Sequence, residues 1–267
     1  METNSTKKIA VIGCGNLGTA ILEGLLSSGN FNGSSITITK RNVESLGKYR
    51  DQGVKITTDN RKAVAESQII VVALKPHNIV TILNEVKDEI RADHIIVSLA
   101  TGVSLTTIEE VVNKDVAIFR AMPNTATEVK ESITCICGNS DNQDSIKEVK
   151  SLFNVLGETV VINEDLMESA TVLGACGIAF VLRFIRGMIQ GGIEIGFDAK
   201  TAGLIVHQTV KGAAELLIQN KEHPEYEIDK VTTPRGCTIT GLNEMEHNGF
   251  SSALIKGIVS SYEKIEN

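Results

Sequence analysis

The chain of 267 residues contains no tryptophan, and aromatic residues make up only 4% of it. So few rings do not furnish the stacking platforms that hold single-stranded nucleic acids. No run of Lys or Arg stands out and the net charge is −7, so neither nucleic acid nor an anionic membrane is expected as a partner. Cysteines are five, an odd number, scattered at Cys14, Cys135, Cys137, Cys176 and Cys237. They read as reduced core thiols of a cytoplasmic protein, not as a disulfide framework. Cys135 and Cys137 share one face of a strand-like run, but no second Cys or His pair stands at ligand spacing, so no metal site is expected. The polar stretch Met1–Lys8 leads directly into a strand-like run, without the apolar segment and cleavage site of a secretory leader. The longest apolar region, Val172 to Ile195, is interrupted by Arg183, Arg186 and Gln190 and reads as a buried helix, not a membrane span.

What is present is an ordinary globular composition, 42% hydrophobic and 22% charged. That is enough chain for two small domains or one large one. In the first part, short apolar runs alternate with helical patterns. Candidate strands are Ile9–Ile12, Ile36–Thr39, Val54–Ile56, Ile69–Ala73, Ile95–Leu99 and Val116–Phe119. Continuous apolar runs of this length suit strands buried on both faces, and the βαβ alternation predicts a doubly wound, Rossmann-like parallel sheet. Two further runs, Ile133–Cys137 and Thr159–Ile162, flank a helix near Asp144–Leu156 and look like extra edge strands. From Glu164 onward no convincing strand appears. A long helix over about Leu166–Ile193 is expected, then one capped by Asp198 and running to Ile218, a connection at Asn220–Pro224, and two shorter helices, about Thr240–Glu246 and Ser251–Ile265. The expected division is 1–163, an α/β dinucleotide-binding domain, and 164–267, an all-α domain. The long helix is apolar on more than one face, which asks for cover on several sides, so a partner subunit is expected to supply it.

The strand Ile9–Ile12 runs into Gly13-Cys14-Gly15-Asn16-Leu17-Gly18, a GxGxxG turn that opens a helical pattern. Gly13 allows the tight turn, Gly15 the approach of a pyrophosphate, and Gly18 the packing of helix on strand. A lone GxGxxG is weak, but this one has the strand and helix that the motif requires. After the second strand, an NAD site wants an acidic residue for the ribose 2′-hydroxyl. Here stand Lys40 and Arg41, cations suited to a 2′-phosphate. NADPH is the expected cofactor, with NADH as the alternative. Three more loops follow strand ends: Ala73-Leu74-Lys75-Pro76, Ala100-Thr101-Gly102 and Arg120-Ala121-Met122-Pro123-Asn124-Thr125. Their small and Pro residues allow backbone approach at the edge where open α/β sheets bind ligands.

Near the other end lies Val231-Thr232-Thr233-Pro234-Arg235-Gly236-Cys237-Thr238-Ile239-Thr240-Gly241-Leu242. Such a dense turn before a helical pattern aims backbone N–H groups at an anion. The segment closely resembles the signature of pyrroline-5-carboxylate reductases, Val-x-Ser-Pro-Gly-Gly-Thr-Thr-Ile, and the resemblance extends over nearly the whole chain. The three strand-end loops resemble that family's Ala-Val-Lys-Pro, Ala-Ala-Gly and Arg-x-Met-Pro-Asn-Thr, which border nicotinamide and ribose there, and Asn60 matches an Asn near the adenosine phosphate. The resemblance implies reduction of L-1-pyrroline-5-carboxylate by NADPH to L-proline, the final step of proline biosynthesis. It implies that Val231, Thr232, Arg235, Gly236, Cys237 and Thr238 bind substrate, with the Thr238 hydroxyl beside the imine nitrogen as a polariser. From the residues alone, Thr238 can equally be the N-cap of the following helix. The resemblance also implies homodimers joined through the C-terminal helices, assembled further into rings in some members.

The chain departs from the family pattern in places. Arg235 replaces a Gly, and Cys237 a Thr or Ala. Cys176-Gly177-Ile178-Ala179-Phe180 stands for Ser-Gly-Pro-Ala-Tyr, which should remove a kink and a hydroxyl. Three alternatives stay open: a β-hydroxyacid dehydrogenase, another cyclic-imine reductase, and an inactive NADPH-binding sensor. The first is weakened because its proton-transfer Lys is missing between Glu164 and Asp198. The last gives no reason to keep Thr238 and its turn. His223 and His247, the histidines nearest the signature, are expected at the surface.

Overall fold

A computed structural model describes residues 7–266, which divide into two compact units between Cys176 and Gly177. The first unit follows the expected alternation. It runs β1 (Ile9–Ile12), α1 (Asn16–Ser28), β2 (Ile36–Thr39), β3 (Lys55–Thr57), α2 (Asn60–Ala65), β4 (Ile69–Val72), α3 (Pro76–Val86), β5 (Ile95–Ser98), α4 (Leu105–Val112) and β6 (Ala117–Met122). Then come β7 (Ser132–Gly138), α5 (Gln143–Asn154), β8 (Gly157–Val161), α6 (Met167–Ala170) and a π-helical run, Thr171–Cys176.

The eight strands form one sheet in the order β3-β2-β1-β4-β5-β6-β7-β8. All neighbours are parallel except β6 and β7. The chain builds outward from β1 through β2 to β3, then returns to place β4 on the other side of β1. This reversal opens a crevice at the carboxyl edge between β1 and β4. The register keeps that edge level, since Ile12 pairs with both Thr39 and Val72, Val72 with Ser98, and Ser98 with Arg120. Strands β1, β2, β4 and β5 are buried at every position, as continuous apolar runs between two helical layers must be. Two apolar clusters result. One packs Val11, Ile38, Val71 and Val97 with Ile21, Leu25 and Phe153; the other packs Ile12, Val72 and Ile118 with Ile79, Leu83 and Ile108.

The second unit is helical throughout: α7 (Gly177–Glu194), α8 (Ala199–Asn220), α9 (Pro224–Lys230), α10 (Cys237–His247) and α11 (Phe250–Glu266). Asp198 caps α8 by accepting from Lys200 N and Thr201 N. A Cβ at Gly192 would lie 3.1 Å from that of Ala202, so α7 and α8 meet through small residues. Phe184 of α7 and Phe250 of α11 bring their ring centroids to 6.0 Å. No residue of α7 is buried, and Leu182, Leu204 and Ile255 are 58%, 72% and 60% exposed. The helical stretch Glu164–Glu194 is long and apolar enough, by length and composition, to cross a membrane.

The structure corrects several expectations. β6 continues to Met122, so Arg120, Ala121 and Met122 belong to a strand and the loop begins at Pro123. The Ile118-Phe119-Arg120-Ala121-Met122 run extends there because the buried Arg120 finds two carboxylate partners, the half-buried Glu164 and Glu168. The connection at Asn220–Pro224 is short, and Pro224, with its fixed φ and missing N–H, starts helix α9. The single long helix is interrupted by the π run, and α7 continues through Gly191 and Gly192. Substituting Ile178 for Pro therefore does not yield an unbroken α-helix. The residues from Glu164 to Cys176 pack within the sheet unit, Met167 being fully buried. Of the five thiols only Cys14 and Cys137 are buried; Cys135 and Cys176 are half-buried and Cys237 is exposed.

Candidate functional site

At the carboxyl edge, Gly13 has φ +91°, a conformation that glycine adopts without strain. A Cβ there would strike the Leu74 side chain and come within 2.8 Å of Ala73 O. Gly13 N and Cys14 N both donate to Thr39 O, at 3.2 and 2.8 Å, which folds the turn over the end of β2. A Cβ on Gly18 would lie 2.7 Å from Gly13 O, so the helix can pack this close only with glycine. Gly15 differs: a Cβ there meets nothing within 4 Å. Gly15 is the N-cap of α1, and no side chain caps that helix. The first N–H groups of α1 therefore point to open space at the positive end of the helix dipole. Asn16 is exposed at this end, while Leu17 turns back onto the core. The Cys14 thiol is buried 3.5 Å from Thr19 Oγ1, and burial raises its pKa, so this residue shapes the turn and presents no reactive group.

The neighbouring loops fall along the same edge. Ala73 N donates to Ile12 O at 2.8 Å, placing Ala73 and Leu74 beside the glycine turn. Lys75 is exposed at the N-cap of α3, and Pro76 opens that helix. Ala100 is buried after β5, and Gly102 has φ +70° with open space where a Cβ would be. Pro123 and Asn124 follow β6 and are buried. Lys40 is half-buried with Nζ 3.1 Å from Ser45 Oγ, whereas Arg41 is exposed and makes no hydrogen bond or ion pair among the described residues. Asn60 stands at the start of α2, and its Nδ2 donates to Glu85 Oε1 at 3.2 Å. These features fit a dinucleotide: an uncapped helix N-terminus with an open glycine, two cations after β2, and small residues along the crevice.

The second unit holds the signature turn. Val231 ends α9 and is 62% exposed, and Thr232 Oγ1 donates to Ile228 O at 2.8 Å. Gly236 N donates to Thr233 O at 2.9 Å, and a Cβ on Gly236 would lie 2.6 Å from Thr233 Oγ1 and 3.0 Å from Thr233 O, so any larger residue would have to push the Thr233 side chain aside. Arg235, where the resemblance has Gly, holds φ +59° and an exposed side chain with no hydrogen bond or ion pair among the described residues. Gly236 is the N-cap of α10 and no side chain caps it. Thr238 is therefore not the N-cap. It lies on the first turn of α10, half-buried, and its hydroxyl has no hydrogen-bond partner among the described residues. The first N–H groups of α10 and this free hydroxyl suit an anionic, hydrogen-bond-accepting ligand. Cys237 is exposed at the first helical position. His223 caps α9 by accepting from Glu225 N, and both it and His247 are exposed. Among the described residues, no group of three or more His, Cys, Asp or Glu could hold a metal ion.

A polar cluster behind the sixth-strand loop escaped the sequence reading. The Arg120 side chain is 5% exposed and pairs with Glu164 Oε1 at 3.1 Å and Glu168 Oε1 at 2.8 Å. The signal was an Arg inside an apolar strand run, which is buried only when paired. Cys137, opposite Arg120 in the ladder, has its thiol pushed up to about 11 by burial and is unreactive.

Residues 164–267 match the family model for pyrroline-5-carboxylate reductase dimerisation, and residues 8–102 the model for NADP oxidoreductase, coenzyme F420-dependent. Pyrroline-5-carboxylate reductase 1 of Dictyostelium discoideum is 47% identical over 96% of this chain, which spans 49% of that relative's length. Pyrroline-5-carboxylate reductase 2 of the same organism is 42% identical, over 98% of this chain and 93% of that protein. The solved pyrroline-5-carboxylate reductase of Coxiella burnetii superposes over 98% of both chains with TM-score 0.93 and 28% identity. The structure of Plasmodium falciparum pyrroline carboxylate reductase with NADP bound does so over 98% of both chains with TM-score 0.87 and 25% identity. With 42% identity over nearly the full length of one such relative and the dimerisation model matched over 164–267, the chain belongs to the pyrroline-5-carboxylate reductase family.

Proposed function

We propose that the chain reduces L-1-pyrroline-5-carboxylate to L-proline with NADPH. The observation that carries this reading is the signature turn: a glycine-dependent bend, an uncapped α10 N-terminus and a free Thr238 hydroxyl. When bound, NADPH supplies a hydride to the ring carbon of the C=N bond. The protein's own tasks are binding, orientation and management of one proton. The N–H groups that open α10 hold the carboxylate, and Arg235 adds an ionic contact. The Thr238 hydroxyl donates to the imine nitrogen, which draws electrons from the carbon that accepts hydride. A threonine hydroxyl is too weak an acid to be the free proton source at neutral pH, so the proton arrives through water, or with the substrate as iminium, in which case the hydroxyl accepts from the iminium N–H.

In the cofactor site, Gly13, Cys14 and Gly15 shape the turn with their own N–H groups engaged, and the free N–H groups of Asn16, Leu17 and Gly18 at the start of α1 take the pyrophosphate. Lys40 and Arg41 take the 2′-phosphate, which favours NADPH over NADH. Asn60, Ala73, Leu74, Lys75, Pro76, Ala100, Gly102, Pro123 and Asn124 border the rest of the dinucleotide. Residues 164–267 act as the substrate and dimerisation domain, and a second copy, not a bilayer, covers its exposed apolar helices. The family match to a dimerisation domain and the exposure of α7 support this. We place the enzyme in the cytoplasm, as a homodimer that can assemble into a ring.

The test follows NADPH oxidation at 340 nm with pyrroline-5-carboxylate and identifies the product. Wild type turns over to proline. Thr238→Ala lowers kcat by about 10²-fold, the cost of one lost donor at a developing charge. Its melting temperature is unchanged, because the hydroxyl has no hydrogen-bond partner among the described residues. Wild-type NADPH binding without turnover would sink the reading.

A further inference from the structure

Strand β6 is tied to the segment that follows the sheet at two levels. Lower down, Arg120 donates from Nη1 to Glu164 Oε1 and from Nη2 to Glu168 Oε1, and Glu164 Oε1 also accepts from Leu105 N at 2.7 Å, opening α4. Higher up, Asn124 is 7% exposed with every polar atom of its side chain employed. Its Nδ2 donates to Gly174 O in the π run at 3.2 Å, and its Oδ1 accepts from Ala126 N at 3.0 Å. Its backbone N donates to Ser132 Oγ at 3.2 Å. Asn124 is thus held at both ends of its amide by protein backbone. Pro123 and Thr125, its neighbours, form the loop at the carboxyl edge.

We infer that Arg120 and Asn124 are positioning residues, which fix the Pro123–Thr125 loop for the dinucleotide by bracing it against the Glu164–Cys176 segment. The two rungs act at different points of one element. Arg120 is rigid, forked and nearly buried, so it fixes the register between β6 and α6. Asn124 then sets the loop backbone. The π run shifts the helical ladder by one residue, and one of its carbonyls is the one that Asn124 takes. This inference rests on the NADPH reading above.

The test uses the full-length protein and two mild variants, since removing Arg120 would leave two carboxylates without their cation. Asn124→Asp keeps the shape and the bond to Ala126 N, but sets an oxygen against Gly174 O. Glu168→Gln removes one charge of the lower rung. NADPH affinity is read by titration with the cofactor's own fluorescence, and loop order by amide hydrogen exchange in the cofactor-free protein. Asn124→Asp is expected to weaken NADPH about tenfold and Glu168→Gln about threefold. Exchange over 123–131 should quicken in both, with the KM for the imine within twofold of wild type. Unchanged NADPH affinity in both variants, even with lowered melting temperatures, overturns the inference and leaves a merely structural brace. If Asn124→Asp does not fold, Glu168→Gln decides alone. Failure of the wild type to bind NADPH would overturn the cofactor reading as well.

Discussion

Arg235 holds its backbone in the left-handed region, with no hydrogen bond or ion pair to its side chain among the described residues. For an L-residue other than glycine this conformation costs about 1–2 kcal/mol. Glycine escapes that cost but gives back about 0.4–1 kcal/mol through the freedom of the unfolded chain. Arg235→Gly should therefore be neutral or stabilising by up to about 1.5 kcal/mol. Its KM for pyrroline-5-carboxylate should nevertheless rise several-fold if, as proposed, the Arg235 guanidinium contacts the substrate carboxylate. Thermal melting and steady-state kinetics on the same variant separate these effects, and an unchanged KM would remove Arg235 from the site. The sequence shows the departure at Arg235 but not its φ, since a turn's handedness depends on where the chain goes next. The same limit applies to Thr238. Capping statistics allow a Thr at the N-cap, and only the bend at Gly236 moves the cap two residues earlier and frees the hydroxyl.

At the scale of elements, the β1–turn–α1 unit contains glycines with opposite duties. Gly15 faces open space with φ −83°, which alanine adopts, while Gly18 is pressed against the Gly13 carbonyl. Gly15→Ala should fold with its melting temperature unchanged yet weaken NADPH at least tenfold, because the added methyl occupies the approach to the first N–H groups of α1. Gly18→Ala should lose about 1–3 kcal/mol by overpacking, since strand and helix must part. Urea denaturation and NADPH titration distinguish the two, and equal effects would mean that Gly15 faces no ligand. This unit was legible in full, because its strand, glycine spacing and helix are consecutive in the chain. So were the buried parallel strands β1, β4 and β5, whose runs carry no alternating polar face, and β2, whose Ile-Thr-Ile-Thr is buried on both faces. Less legible were β6, α9 and the π run. β6 was cut short because Arg120 looks like a loop residue until Glu164 and Glu168, some forty positions later, supply its counter-charges. The π run has no local sequence mark, and its carbonyl partner Asn124 belongs to a distant strand end.

For the whole molecule, the telling fact is how little of the helical unit is covered. α7 buries none of its residues, and α8 and α11 expose Leu204, Leu216, Leu254, Ile255 and Val259. Apolar surface on this scale marks an interface, since monomers seldom expose large contiguous apolar patches. A bilayer is a poor candidate for the cover. Arg183 and Arg186 are both exposed within α7, and each would cost about 2.5–3.5 kcal/mol at the centre of a membrane. A second copy can leave those guanidinium groups at the rim in water while burying Val181, Leu182 and Phe184. The chain should therefore sediment at micromolar concentration with at least twice its 28.7 kDa mass, without detergent. Leu182→Glu should raise the dimer dissociation constant at least a hundredfold, about 2.7 kcal/mol, by placing an unpaired charge where an aliphatic side chain was covered. The variant's helices, losing the surface that buries them, should melt below those of the wild type, while NADPH binding by the sheet unit persists. A wild type that stays at 28.7 kDa under these conditions would refute the dimer and leave the exposed face of α7 without an occupant.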